Sequence, residues 1–413
     1  MNLADSQHLL LDLLSTQRPV RQASLDALSP SDWIRIRDMA REHRLLPMLH
    51  WRLTHEHADL VVEPSLRAEL QDANRKATLR ALRLQRELGG IVRILASVGI
   101  PCLALKGAYL AFAVYPQPAL RPMRDLDVLV DPAQAPAAYA ALREAGFTPG
   151  HDVQGDVATC IAEEKHLPLL VAPGGGVNVE LHVRLTPKRD GQAHGLEAAG
   201  LWERQVRREV AGQQIAYLSP TDLLLHLIYH AAYDHRLNNG PLTLCDLAGL
   251  IGTNAIDWPR FWDRARDSGW LRGSLLLLRM TQRYFGDLAI PYDDIAADEL
   301  EAASRFADEG ATLTLCSHDK LYVSLATSMA GQSLPRKMLL VARRFFPTPT
   351  ALALQDADTR TSRMGLLRAN GRKIHRMLTV RLPLLLSQLR RSSSRRDIRR
   401  EVHQAAELGR WLA

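Results

Sequence analysis

Nine residues constrain this chain most. In Val177-Asn178-Val179-Glu180-Leu181-His182-Val183-Arg184-Leu185, apolar and polar residues alternate without a break. Successive side chains of a strand point to opposite faces, so an extended strand puts all the apolar residues on one side. That side needs a core to lie against. The other side carries Asn178, Glu180, His182 and Arg184. An acid, an imidazole and a guanidinium on one face are unusual for a surface that merely meets water. An edge strand with mixed charges is the plain alternative.

A second stretch, "LRPMRDLDVLVD", runs from Leu120 to Asp131. Its apolar run reads as a strand from Asp125 to Val130. Asp125 and Asp127 then share a face, while Leu126 and Val128 turn to the core. Neighbouring carboxylates repel unless a cation sits between them. Hard divalent cations prefer such oxygen ligands. A charged strand end, paired with Arg121 or Arg124, is the alternative that this stretch alone leaves open. Upstream, Cys102 to Leu105 reads as a short buried strand ending at Lys106-Gly107, with a helix over Ala108 to Val114. Glycine permits close backbone approach, and the first N–H groups of a helix face an anion. Lys106 adds a charge able to meet a phosphate. A phosphate cradle, a metal pair and a third carboxylate each solve part of one problem.

Around these strands the pattern is helical. Apolar residues recur at three and four spacing in Leu9-Leu10-Leu13-Leu14 and Trp33-Ile34-Ile36-Met39. Leu79 to Ser97 reads as a long amphipathic helix, broken by Gly99-Ile100-Pro101. Pro132 to Ala145 reads as a helix, His166 to Val171 as a strand, and Pro173-Gly174-Gly175-Gly176 as a hairpin turn. Ser219-Pro220-Thr221-Asp222 is a helix start. Helices are expected over Leu223–Tyr233, Leu242–Ile251, Trp258–Phe285 and Asp298–Leu315. The expected fold class is α+β, a small mixed-sheet core flanked by N-terminal and C-terminal helical regions. The expected division is 1–95 (helical), 96–218 (α/β core), 219–346 (helical, over the site) and 347–413 (linker and basic helical end).

Composition excludes some classes. The 413 residues carry a formal net charge of +7, which fits an anionic partner or simply an arginine-rich composition. Cys102, Cys160, Cys245 and Cys316 are far apart, so neither a zinc cluster nor a disulfide framework is suggested, and a reducing cytosol is the expected compartment. The N-terminus lacks a basic leader region, and no run of about 20 apolar residues is present. Arg390, Arg391, Arg395, Arg396, Arg399 and Arg400 follow Leu384-Leu385-Leu386. That pattern allows weak contact with an anionic membrane surface, so the expectation is a cytoplasmic protein open to a peripheral membrane role. Aromatic interleaving is sparse, and nucleic acid is not expected as a partner.

The ordered set "LALKGAYL", "LRPMRDLDVLV" and "VNVELHVRL", followed by "SPTDLLLHLIYHAAYDH" and "LTLCDLAGLI", resembles the uncharacterised bacterial nucleotidyltransferases of the polymerase-β-like superfamily. The resemblance spans roughly Leu95 to Trp270. It implies that Gly107 belongs to a phosphate-holding turn with Lys106 and Ala108. It implies that Asp125, Asp127 and Glu180 hold two divalent ions, Mg²⁺ or Mn²⁺. The implied substrate is a nucleoside triphosphate, with ATP the expected one. Lys106, Arg121 and Arg124 would offset pyrophosphate charge, and Glu180 or His182 would take the acceptor's proton. Lys106, Arg121, His182, His230 and Asp246 fall at positions that look like signatures of the closer family. The acceptor is unread and can be a small molecule, a glycan or a protein.

The chain departs from the superfamily at Gly107-Ala108, where a second glycine or a serine is usual. The gap from Gly107 to Asp125 is also longer. Two other readings therefore stand. One is a D-x-D glycosyltransferase using a nucleotide sugar. The other is a catalytically degenerate protein that binds nucleotide or a partner. His166 is expected to be structural. His230 and Asp246 are balanced between a role at the site and ordinary polar packing.

Overall fold

A computed structural model describes residues 1–150, 156–186 and 200–315, together with 371, 375, 379, 403–404 and 406–412. The expected linker at 347–358 and the arginine-dense segment at 390–400 lie outside the described residues.

Four helices open the chain: α1 (Leu3–Leu14), α2 (Gln22–Asp26), α3 (Pro30–Glu42) and α4 (Leu46–His55). Helix α3 starts as its sequence dictates. Ser29 and Asp32 form a reciprocal capping box, and Pro30 occupies the first turn, where its missing N–H costs nothing. Helix α5 (Pro64–Ser97) follows with 34 residues, about 51 Å at the usual rise. It begins well before the expected Leu79, because the polar stretch Asp72 to Lys76 hides its periodicity. Leu66, Leu70, Leu84, Leu88, Ile91 and Leu95 form its buried stripe.

Among the described residues seven strands follow: β1 (Leu103–Ala104), β2 (Asp125–Leu129), β3 (Thr148–Pro149), β4 (Leu170–Val171), β5 (Asn178–His182), β6 (Val206–Val210) and β7 (Gln213–Tyr217). They form one sheet in the order β3-β4-β5-β2-β1-β7-β6. The β2–β5 and β1–β7 pairs are parallel and the others antiparallel. This mixed sheet with helices before and after it is the expected α+β class. Leu126, Val128, Val179 and Leu181 are fully buried, as alternation requires. The β4–β5 hairpin closes through Gly174, Gly175 and Gly176, all at positive φ.

The β6–β7 hairpin was not expected. Arg207, Arg208 and Glu209 face solvent, so no apolar alternation marks β6. Its turn is Ala211-Gly212, with φ of 51° and 76°, the paired positive values that suit a two-residue hairpin.

Among the described residues, the α-helices interleaved with the strands are α6 (Gly107–Tyr109), α7 (Ala135–Glu144) and α8 (Val157–Glu163). Helix α6 runs on as a π turn over Leu110–Val114. After the sheet come α9 (Pro220–Tyr229), α10 (Leu242–Thr253), α11 (Trp258–Asp267), α12 (Leu271–Phe285), α13 (Ala297–Arg305) and α14 (Ala307–Leu313). A second π turn, His230–Asp234, extends α9. The expected Trp258–Phe285 helix is two helices, parted where Gly269 takes a φ of 70°, the usual glycine stop. Among the described residues, no helix is long and apolar enough to cross a membrane.

One apolar cluster runs from Leu10 in α1 through the strands to Leu278 in α12. Ser15 Oγ donates to the Tyr284 carbonyl, and Arg18 bridges Asp12 and Asp308. Helix α1 therefore lies beside α12 and α14.

Helix α9 is anchored by a buried ion pair. Ser219 Oγ accepts from the Asp222 N–H at 3.1 Å. Arg204 donates to both Asp222 oxygens, at 2.9 and 3.1 Å, and Asp222 is fully buried. Asp222→Ala strands Arg204 and removes this anchor. We expect it to lower unfolding free energy by about 2–4 kcal/mol, read from the urea midpoint; a change under about 0.5 kcal/mol would show that the pair does not hold α9.

Candidate active site

The site begins with strand register. Strands β2 and β5 pair in parallel with Asp125 opposite Asn178, Asp127 opposite Glu180 and Leu129 opposite His182. Paired strands lie about 4.8 Å apart, so Asp127 and Glu180 stand side by side. Asp125 is two residues along β2 on the same face. All three line a cavity of about 540 Å³. Lys106, Gly107, Ala108, Arg121 and Arg124 line it too, so the expected phosphate residues and the expected carboxylates meet in one place.

Lys106 holds an unusual backbone. Its φ of 43° and ψ of −110° lie where side-chain-bearing residues are rare, at a cost on the order of 1–3 kcal/mol. In that conformation Nζ lies 3.3 Å from Asp127 Oδ2. Gly107 is explained by packing, since a Cβ there would sit 2.9 Å from Met123 Cγ and Sδ.

His182 corrects one expectation. It was read on the open face of its strand beside Glu180, as a group able to take a proton. Instead it is fully buried and does not line the cavity. That side of the sheet is roofed by α9 and its π turn, which contribute Leu227 and His230 to the cavity wall. His182 Nε2 lies 3.0 Å from Asp127 Oδ1 and 3.5 Å from Glu180 Oε2. It positions both acids from the buried part of the face they share. His166, expected to be structural, lines the cavity with Nε2 3.9 Å from Glu180 Oε2.

The charges set one another. Burial alone would raise Asp127, but Lys106 and the bond from His182 outweigh it and hold it well below the carboxylate range. Burial also opposes ionisation of Glu180, and His182 again reverses it. At Asp125 the charges of Lys106 and Arg44 act the same way but are outweighed. Burial, then repulsion from Asp127 and Glu180, raises it to about 6. Lys106 and His182 are both raised, since the acids outweigh the burial that would discharge them. This crowding of acids is what a bound cation relieves, and the all-oxygen set Asp125, Asp127 and Glu180 fits Mg²⁺ or Mn²⁺.

Cationic groups fill the other wall. Arg121 is not free to move. Its Nε donates to both Asp246 oxygens, at 2.7 and 2.8 Å, and Tyr115 Oη donates to the same carboxylate at 2.8 Å. Asp246 thus bonds a nearby arginine and also lines the cavity. Arg124 is exposed at the rim.

Arg44 was missed. It follows α3, inside a region read only as helices, and no motif marks it. Its φ is 59°, it lines the cavity, and its Nε is buried without a hydrogen-bond partner. Burial, then the charges of Arg124 and Arg121, lower its guanidinium to about 10. An arginine held so near two others suits an anion.

The two π turns shape the remaining wall. Tyr115 N–H reaches back to Leu110 O at 2.9 Å, and His235 N–H to His230 O at 3.0 Å. Such wide turns are often found at functional sites. Burial and the charge of Lys106 push His230 and the fully enclosed His226 well below the usual imidazole range, so both are neutral. His226, Asp234 and His235 lie within the quoted "SPTDLLLHLIYHAAYDH", where polar residues interrupt an apolar helix. That interruption was the available signal.

A family described as "Uncharacterised nucleotidyltransferase" matches residues 29–286, more than half of the chain. The match begins before α3 and so takes in Arg44, beyond the stretch from Leu95 that carried the resemblance. No curated protein and no solved structure matches the chain.

The folded state holds a proton on Asp125 up to about pH 6, whereas an unfolded chain loses it near 4. Stability therefore falls as pH rises through that window, and the cost is fully present above it. Without divalent cations, Asp125→Asn should raise unfolding free energy on the order of 1–3 kcal/mol at pH 7.5. The gain should shrink towards pH 4. Thermal unfolding in chelator at both pH values checks this. A variant less stable than the parent at pH 7.5 would contradict it.

Proposed function

The chain belongs to the uncharacterised nucleotidyltransferase family, and from that premise we propose that it transfers a nucleoside monophosphate from a nucleoside triphosphate to an acceptor hydroxyl, releasing pyrophosphate. The observation that carries this is the register of β2 on β5. It sets Asp127 beside Glu180, with Asp125 on the same face, in a cavity that Arg44, Lys106, Arg121, Arg124 and Lys165 also line. A D-x-D on one strand and a third acid on its neighbour are in keeping with the polymerase-β-like resemblance. The volume is that of a small-molecule site.

The roles follow from position. Asp125, Asp127 and Glu180 hold Mg²⁺ or Mn²⁺. Such an ion neutralises phosphate charge and lowers the pKa of an acceptor hydroxyl. Glu180, which faces the cavity, takes the acceptor's proton. His182, buried beside them on the same face, keeps Asp127 and Glu180 aligned. Lys106 and Arg44 meet the triphosphate and offset the charge that builds on departing pyrophosphate. Arg124 screens it at the rim. Asp246 and Tyr115 fix Arg121, so that its charge is pre-oriented. Lys106 and Arg44 supply what the Gly107-Ala108 turn lacks in hydroxyl contact. ATP is the proposed donor, and the acceptor is a hydroxyl of a small molecule, glycan or protein.

One observation favours a second reading, a nucleotide-binding protein without turnover. Lys106 and His182 already occupy both oxygens of Asp127. Four triphosphates, each with Mg²⁺ or Mn²⁺ and a cell extract, separate the readings. Pyrophosphate release with an acceptor heavier by one nucleotide supports transfer, and nucleotide binding alone supports the second. Turnover of nucleotide sugars would instead indicate a glycosyltransferase. Asp127→Ala should cut transfer at least about 100-fold, and Arg44→Ala should raise KM for the triphosphate about 10-fold with the fold intact. Normal turnover by Asp127→Ala would end the proposal.

A further inference from the structure

A second cluster, which the transfer chemistry does not use, borders the cavity. His230, Asp234 and His235 each offer a ligand atom, and these atoms lie within 4.8 Å of one another. His230 and His235 both line the cavity. The π turn His230–Asp234 brings them together. In an α-helix with 3.6 residues per turn, residues five apart diverge around the axis. The wider π turn, closed from His235 N–H to His230 O at 3.0 Å, returns His235 to the side of His230.

The contact between the rings is specific. His230 Nε2 and His235 Nε2 lie 3.0 Å apart. Two imidazole nitrogens bound to one Zn²⁺, each at its usual bond length, would lie about 3.3 Å apart at a tetrahedral angle. The observed spacing is close to that bite. Lys165 Nζ holds Asp234 Oδ2 at 2.8 Å, the kind of outer contact that orients a ligating carboxylate.

We propose that His230, Asp234 and His235 form a transition-metal site, filled by Zn²⁺, whose open position faces the cavity. Two imidazoles and one carboxylate are the donors that borderline divalent metals select, whereas Asp125, Asp127 and Glu180 form the hard oxygen set. Three protein ligands leave room for an outside oxygen, the arrangement of reactive rather than purely structural zinc. The bound oxygen can belong to a hydroxyl or a phosphate of whatever occupies the cavity. This site stands apart from the nucleotidyl-transfer reading and does not need it.

Co²⁺ is the probe, because tetrahedral or five-coordinate Co²⁺ absorbs in the visible and hexaaqua Co²⁺ absorbs weakly. The full chain is stripped with chelator, dialysed and titrated with Co²⁺. The expected result is about one equivalent of strongly absorbing ion, displaced by one equivalent of Zn²⁺ and not by millimolar Mg²⁺. His235→Ala and Asp234→Asn should each weaken binding at least about 100-fold, more than the loss of an outer contact does. Near-UV circular dichroism reports whether each variant keeps its fold. Asp125→Asn should leave the spectrum in place. The proposal is overturned if the parent chain shows no such band, if folded His235→Ala and Asp234→Asn both keep it, or if Asp125→Asn removes it. The first outcome would mean that the two rings share only a hydrogen bond.

Discussion

The parallel pairing of β2 with β5 is the constraint on which the rest depends. It sets Asp127 against Glu180 and so forces like charges together inside the protein. The surroundings answer this repulsion. Lys106 accepts a strained backbone beside Asp127, and buried His182 bonds both acids from the same face. At Asp125 the charges of Lys106 and Arg44 are outweighed, and it is the acid left raised. A site that leaves one acid uncompensated is poised for a cation, and the fold tolerates that cost because the opposite faces of the same strands are fully buried.

The second constraint is the roof. A sheet face bearing acids and imidazoles would be flooded with water if open, and water would weaken every charge interaction in it. Helix α9, pinned by the Arg204–Asp222 pair, closes it. The two π turns then depart from regular helix to bring Tyr115 to Asp246 and His230 to His235. The N-terminal helices complete the wall. Arg44 lines the cavity with its guanidinium donating to the Pro122 carbonyl at 3.3 Å, next to His43, whose Nε2 lies 3.2 Å from the Leu315 carbonyl.

Much of the centre was legible. The alternation of Val177 to Leu185 and the D-x-D before Val128 define two strands, and their polar faces carry Asp125, Asp127 and Glu180. These are period-two patterns, written locally. His182 shows the limit. Alternation correctly placed it on the side of Glu180, but nothing local says that this side is covered. Arg44, the β6–β7 hairpin and the break at Gly269 carry no periodic signal, since each owes its place to partners far away in the chain.

The sequence by itself therefore determined the α+β class, strands β1, β2, β4 and β5, and which acids share a face, because backbone geometry converts spacing directly into shared faces. It determined membership of a nucleotidyltransferase family through the order of short motifs. Only the tertiary structure decided which strands are neighbours, which polar groups are buried and which cations face the acids. Register between strands and the approach of distant helices are set by the packing of the whole core, and charge acquires its meaning from what packing places around it.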